Sequence, residues 1–160
     1  MNSLLFVSLV IRGAATVQQL VAEGVCALAG GFCINWVDTI PSGADVKMRI
    51  GVMRSARNMN TAEVEAELGL MGARLASVPQ ILQALSHALL MEGIIGGIAV
   101  PGSTVTVPGL DLDDSDYKAI ATLTRGRGIP WTLGKRLHSD RSIWVPGWNF
   151  AAVMDGWDEA

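Results

Sequence analysis

The fold is decided by residues 46–93, which read VKMRIGVMRSARNMNTAEVEAELGLMGARLASVPQILQALSHALLMEG. In residues 46–53 the apolar side chains alternate with Lys47, Arg49 and Gly51. A period of two over this length predicts a β-strand that is buried on one face only.

Two helix starts follow this strand. Asn60 is followed three residues later by Glu63, and Ser77 is followed at the same spacing by Gln80. In such a capping box the first side chain accepts a free backbone N–H, and the second reaches back to the cap. The sequence therefore predicts two helices in succession, and the glycines placed to end them are Gly72 and Gly93.

The flanking segments are mostly apolar and short. Residues 4–11 form an apolar run, interpreted as a buried strand, and residues 16–29 have the spacing of a helix with Gly24 in its middle. Residues 117–124 fit a short helix or a strand. The other predicted strands are residues 32–37, 94–100, 129–133, 142–145 and 148–154, and residues 104–107 are rich in β-branched side chains.

This order predicts an α+β fold with a mainly antiparallel sheet and about three helices packed on it. We expect one domain over residues 1–160. Its parts are an N-terminal strand–helix–strand unit (1–45), the strand–helix–helix unit (46–93) and a β-rich C-terminal part (94–160).

Composition limits the class of protein. Half of the 160 residues are hydrophobic and 17% are charged, which excludes a disordered chain, and the net charge of −3 gives no general attraction to nucleic acid. The run Leu4–Ile11 is too short to span a bilayer and no basic residue precedes it, so a cytoplasmic location with no membrane partner is expected. No nucleotide-binding glycine motif is present, and no cofactor is predicted.

The sequence gives little support for a metal site or a disulfide bond. Cys26 and Cys33 are predicted to be free buried thiols, although a disulfide between them is possible. Neither His87 nor His138 has metal-site spacing to a cysteine, so no zinc site is expected. The acidic run that begins at Asp111 opens like a calcium loop, but it lacks the required glycine and glutamate, since those places hold Asp116 and Thr122.

The C-terminal part combines positive charge with tryptophan. The basic residues are Arg125, Arg127, Lys135, Arg136 and Arg141, and the tryptophans among them are Trp131, Trp144 and Trp148. With His138 added, the candidate ligand-binding residues are Trp131, Trp144, Trp148, Arg136 and His138. The alternative is that the tryptophans belong to the core and the charges to a solvated face. No catalytic residue is predicted, because His, Ser and Asp adjacent on a loop do not make a triad.

Three blocks resemble a group of small uncharacterised proteins of bacteria and their phages. The blocks are residues 46–82, residues 98–103, and Ile129-Pro130-Trp131 together with residues 148–153. The group shows the order strand, capped helix, Gly-x-Arg-Pro-Ala-Thr-x-x-Glu-Leu-Leu signature and three strands. Here Leu75, Pro101 and Asn149 replace its proline, leucine and arginine. The resemblance implies a bacterial or phage protein, in the second case from a mobile element, and carries no catalytic residue.

The leading functional hypothesis is a non-enzymatic binding protein that acts as a homodimer or with a protein partner. A high apolar fraction in a chain without a catalytic constellation favours it. The alternative is a small-molecule-binding domain or an enzyme with a pocket near the C-terminal tryptophans. A weaker alternative is nucleic-acid binding through residues 125–141.

Overall fold

A computed structural model describes residues 3–37, 44–85, 87, 94, 96–107, 117–125, 131–139 and 142–155. These residues form three α-helices, one 3-10 helix and eight β-strands. The helices are α1 (Val17–Ala22), α2 (Thr61–Leu70) and α3 (Val78–Ala84), and the 3-10 helix is Ile34–Trp36. The strands are β1 (Ser3–Ile11), β2 (Cys26–Leu28), β3 (Val46–Arg54), β4 (Arg74–Leu75), β5 (Ile98–Val105), β6 (Tyr117–Arg125), β7 (Trp131–Ser139) and β8 (Asn149–Asp155).

All eight strands belong to one mixed sheet. Their order is β1-β3-β8-β5-β6-β7-β2, with β4 paired to β8 beside this path. Strands from both ends of the chain are therefore neighbours. The α+β class is confirmed. The expectation of a mainly antiparallel sheet is partly wrong, because β5 runs parallel to β8 and β2 runs parallel to β7.

Helices cover both faces of the sheet. The larger core joins one face to α1 and α3 through Leu20, Ile81 and Leu82, and the smaller core joins the other face to α2 through Val64 and Leu68. The two faces are called here the α1/α3 face and the α2 face. Double coverage corrects the prediction that β3 is half-buried, because its residues 50–53 are buried on both faces.

Both predicted capping boxes are confirmed. The Asn60 side chain accepts the Glu63 N–H at 2.8 Å and the Glu63 carboxylate accepts the Asn60 N–H at 3.1 Å. Ser77 and Gln80 repeat the arrangement at α3. Gly72 follows α2 with φ +74°, a conformation that glycine adopts without strain. The helix described after Ser77 ends at Ala84, and the predicted stop at Gly93 lies outside the described residues.

Three predictions in the N-terminal part need correction. The helix predicted over residues 16–29 ends at Ala22, because Gly24 takes φ +83° and residues 26–28 pair with β7. Residues 34–36 form a 3-10 turn instead of a strand. The apolar run at residues 4–11 is a strand as predicted, but it lies at the end of the sheet order, and its exposed residues include Leu4 and Val10.

The C-terminal strands differ from their predicted limits. β5 begins only at Ile98, because Gly96 takes φ +90° before it. Residues 117–125 form a strand, and β7 extends to Ser139 through residues interpreted as a loop. In residues 142–145 only Trp144 makes a β-bridge, to Met59. The acidic run at residues 111–116 lies outside the described residues.

None of the described helices has the length and apolar character that crossing a membrane requires.

Candidate functional site

Four of the five predicted site residues form one cluster on the α2 face. The His138 ring stacks on the Trp144 ring with 4.0 Å between centroids and 18° between planes. The Trp148 ring meets Trp144 edge-on at 5.1 Å. The Arg136 guanidinium carbon lies 5.3 Å from the centroid of Trp144 and 5.2 Å from that of Trp148, within the range of cation–π attraction.

Strand alternation places the two polar members. Arg136 and His138 are two residues apart on β7, so their side chains leave the same face of the sheet. Register brings Ile120 of β6, a residue of the smaller core, directly opposite Arg136. His138 is buried, whereas Arg136 is exposed.

The tryptophans are fixed by contacts to three other segments. Trp144 exchanges two backbone hydrogen bonds with Met59, and its indole Nε1 donates to the Thr61 hydroxyl at 3.1 Å. Trp148 packs on Gly97: a Cβ placed there would lie 2.9 Å from the Trp148 ring. The segment before α2 and the segment before β5 thus hold the two rings that contact Arg136.

The fifth predicted residue, Trp131, does not join this cluster. It lies seven residues before His138 on the same strand, and an odd separation turns its side chain to the α1/α3 face. There it is buried in the larger core, opposite Cys26 of β2, with the Arg125 guanidinium 6.0 Å from its ring. Trp131 is therefore separated by the sheet from Trp144 and Trp148.

The geometry determines which ligand the cluster could bind. Trp144 is fully buried, and the half-buried Trp148 packs on Gly97 and lies beside the Arg136 guanidinium, so a planar ligand could reach only part of one ring. A guanidinium beside aromatic rings keeps its in-plane N–H donors available, and these donors fit a carboxylate or a phosphate. Among the described residues no carboxylate lies within ion-pair distance of Arg136. The cluster can therefore hold an oxyanion at the edge of this guanidinium.

Arg12 and Arg57 differ in this respect. Arg12 pairs with Glu23 at 2.9 Å and Arg57 pairs with Glu63 at 3.1 Å. A hydrogen bond from the Asn60 N–H, aided by Arg57, holds the pKa of Glu63 below its usual value. Arg57 is therefore already paired with carboxylates of its own chain at the surface.

No catalytic triad is found among the described residues near His138. The hydroxyls of Ser139 and Ser142 hydrogen-bond to each other at 2.9 Å, and Asp140 lies outside the described residues. The described residues also contain no cluster of three or more His, Cys, Asp or Glu side chains suited to a metal.

Both cysteines are free thiols. Cys26 is buried, and this burial raises its pKa to about 11, whereas Cys33 is only half-buried. The prediction of two buried free thiols holds for Cys26 and is partly wrong for Cys33.

Two half-open cavities lie away from the cluster. One of about 440 Å³ lies between the start of α1 and the 3-10 helix, where its lining includes Gln18, Trp36 and Thr106. The other, of about 390 Å³, lies beside β4 and includes Glu65, Arg74 and Pro101. Their linings combine polar and apolar groups without a recognisable catalytic arrangement.

The outer edge of β1 is a further feature that the sequence pattern did not reveal. Within the described residues β1 pairs with β3 on one side only. Its nine residues, SLLFVSLVI, contain neither charge nor proline, and Leu4 and Val10 are 45% and 48% exposed. The uncharged run predicts a strand whose side chains are buried by other elements, but only the strand order shows that it lies at an edge of the sheet.

The comparisons with known proteins add no relative. No protein-family model matches the sequence, and neither the curated proteins nor the solved structures gave a match. Function must therefore be inferred from the geometry alone.

Proposed function

We propose that the protein is a non-enzymatic binding protein that pairs with another polypeptide through the outer edge of β1, as a homo-oligomer or with a protein partner. The observation that carries the proposal is the uncharged nine-residue edge strand with Leu4 and Val10 exposed.

Edge strands of stable monomers are usually protected. Lysine, proline, a bulge or a covering loop prevents their free N–H and C=O groups from pairing with another chain. β1 has no charged residue and no proline, and its register with β3 is continuous from Ser3 to Ile11. Such a strand is suited to receive another β-strand, because main-chain hydrogen bonds then supply affinity and side chains supply specificity.

Charge placed on the edge tests the proposal. The variants Leu4→Lys and Val10→Lys are to be compared with Leu70→Lys, whose parent residue is an 85% exposed leucine on α2. Native mass spectrometry and light scattering at two protein concentrations measure the oligomer. We expect each edge variant to weaken association at least about tenfold, equivalent to about 1.4 kcal/mol, and the control to leave it unchanged. An oligomer that resists both edge variants contradicts the proposal.

A second candidate function is the binding of a small oxyanion at Arg136. The favouring observation is that the guanidinium lies against Trp144 and Trp148, is exposed, and has no described carboxylate partner. The ligand class is a carboxylate or a phosphate ester bound by paired N–H donors.

Isothermal titration with inorganic phosphate and with citrate tests this candidate. The variant Arg136→Gln should abolish the heat of binding, whereas Lys135→Gln, which changes an exposed neighbour on the other face, should retain it. Equal loss in both variants would indicate only a general effect of net charge.

Nucleic-acid binding through residues 125–141 has less support. Arg125 lies over Trp131 on the α1/α3 face, whereas Arg136 lies over Trp144 on the α2 face. The described basic residues of this segment therefore do not form one surface. Binding of a single-stranded oligonucleotide that falls steeply with salt would restore this alternative.

A further inference from the structure

The sequence of β1 is partly symmetric about Val7. Leu5 corresponds to Leu9 and Leu4 to Val10, whereas Phe6 corresponds to Ser8 and Ser3 to Ile11. Leu4 and Val10 lie three residues before and after Val7, share the α2 face by strand alternation, and are exposed to a similar degree. A twofold axis through Val7 would place Leu4 of each copy opposite Val10 of the other copy.

We infer that the occupant of this edge is β1 of a second copy of the chain, paired antiparallel about Val7, so that Leu4 of one copy lies opposite Val10 of the other. This inference rests on the proposed function, since it names the partner of the same edge. The two sheets then continue across the twofold axis, and each face of one sheet meets the same face of the other.

Few registers are compatible with this geometry. Directly opposite residues of an antiparallel pair lie on the same face, so a twofold axis perpendicular to the sheet pairs residues whose numbers sum to an even value. A sum of 14 pairs all nine residues of β1. The neighbouring sum of 12 places Leu4 opposite Ser8 and leaves Val10 beyond the end of the strand, and the sum of 16 places Leu4 opposite Arg12.

Charge is compatible with this register. The nine paired residues contain no ionisable side chain, so no like charges meet across the seam. Arg12, the first charged residue after the strand, pairs with Glu23 of its own chain and falls outside the seam. Apolar cross-strand pairs stabilise a sheet, whereas like charges directly opposite one another destabilise it.

Disulfide trapping tests the register. The double variant Leu4→Cys/Val10→Cys is made with Cys33→Ser, so that the half-buried native thiol does not react. Opposed residues have Cα atoms about 4.5–5.5 Å apart, inside the range a disulfide needs, roughly 4.4–6.8 Å. Within one chain the two positions are about 20 Å apart, from roughly 3.3 Å per residue. Only a bond between chains can therefore form.

We expect a covalent dimer from the double variant under mild oxidation, and also from an equimolar mixture of the two single-cysteine variants. Each single variant alone should stay uncrosslinked, because the introduced cysteines of its two copies lie about 20 Å apart along the strands. A single variant that crosslinks with itself overturns the register.

Other outcomes separate this inference from the proposed function. If Leu4→Lys dissociates the dimer but the double variant does not crosslink, the edge is used and the Val7 register is wrong. If the protein is monomeric at every concentration, the second-copy inference fails. A dimer unaffected by Leu4→Lys and Val10→Lys overturns both the register and the proposed function.

Discussion

Replacement of Gly51 by alanine should destabilise the protein strongly. Gly51 lies in the middle of β3, opposite Phe6 of β1 and Ala152 of β8. A Cβ built at this position would lie 2.7 Å from the Cα of Phe6 and closer still to the carbonyl oxygen of Leu5. Because both neighbours are backbone atoms, β1 would have to move away from β3 to admit the methyl group.

The magnitude follows from the kind of contact. Adding a methylene to a well-packed core typically costs about 1–3 kcal/mol, and a clash with backbone belongs at the upper end. This is a large fraction of a typical folding free energy of about 5–15 kcal/mol.

The control is Gly69→Ala in α2, where a Cβ meets nothing within 4 Å. A helical Gly→Ala exchange there should stabilise by about 0.5–1 kcal/mol.

Urea denaturation of both variants measures the difference. It should be followed at several protein concentrations, because self-association would contribute to the apparent stability. We expect opposite shifts of the midpoint, and because Gly51→Ala displaces β1, it should also weaken the proposed dimer. A Gly51→Ala midpoint equal to that of the wild type would refute the close approach of β1 and β3.

Three further predictions concern single contacts. Thr61→Val leaves the buried Trp144 indole N–H without its acceptor and should cost about 1–3 kcal/mol in urea denaturation, whereas Thr61→Ser, which keeps the hydroxyl, should cost less. The folded pKa of Glu63 is lowered, so its contribution to stability is present above its unfolded pKa and is lost as pH falls through the folded pKa. Glu63→Gln should therefore make the thermal midpoint less sensitive to acid. An unchanged decrease of the midpoint at low pH would contradict this. Cys26, with its pKa raised to about 11, should react with a disulfide reagent at pH 8 much more slowly than Cys33, as mass spectrometry of the labelled peptides can determine; equal rates would contradict its burial.

Local chemistry explains why the helix starts were predictable. A capping box is contained within four residues, so Asn60 with Glu63 and Ser77 with Gln80 act in the same way wherever the helix packs. Helix ends were less predictable. The apolar spacing of residues 16–29 suits a helix, but the partner that makes residues 26–28 a strand is β7, more than a hundred residues later.

The candidate site was half predictable for a related reason. The sequence identified the residues that cluster around Trp144, because basic residues and tryptophans are interleaved in this part of the chain. It could not separate Trp131 from them, because the strand predicted from residue 129 ended at residue 133. Once β7 extends to Ser139, strand alternation alone places Trp131 and Arg136 on opposite faces.

The position of β1 shows a conflict between local pattern and fold. Its uncharged run, with apolar residues on both faces, is typical of a strand in the interior of a sheet. Yet the described strand order places it at an edge, with Leu4 and Val10 exposed. Local pattern and position agree if another strand covers that edge, and a second β1 is the strand proposed here. The trapping experiment on Leu4 and Val10 therefore tests whether the local pattern of β1 is explained by pairing with a second copy.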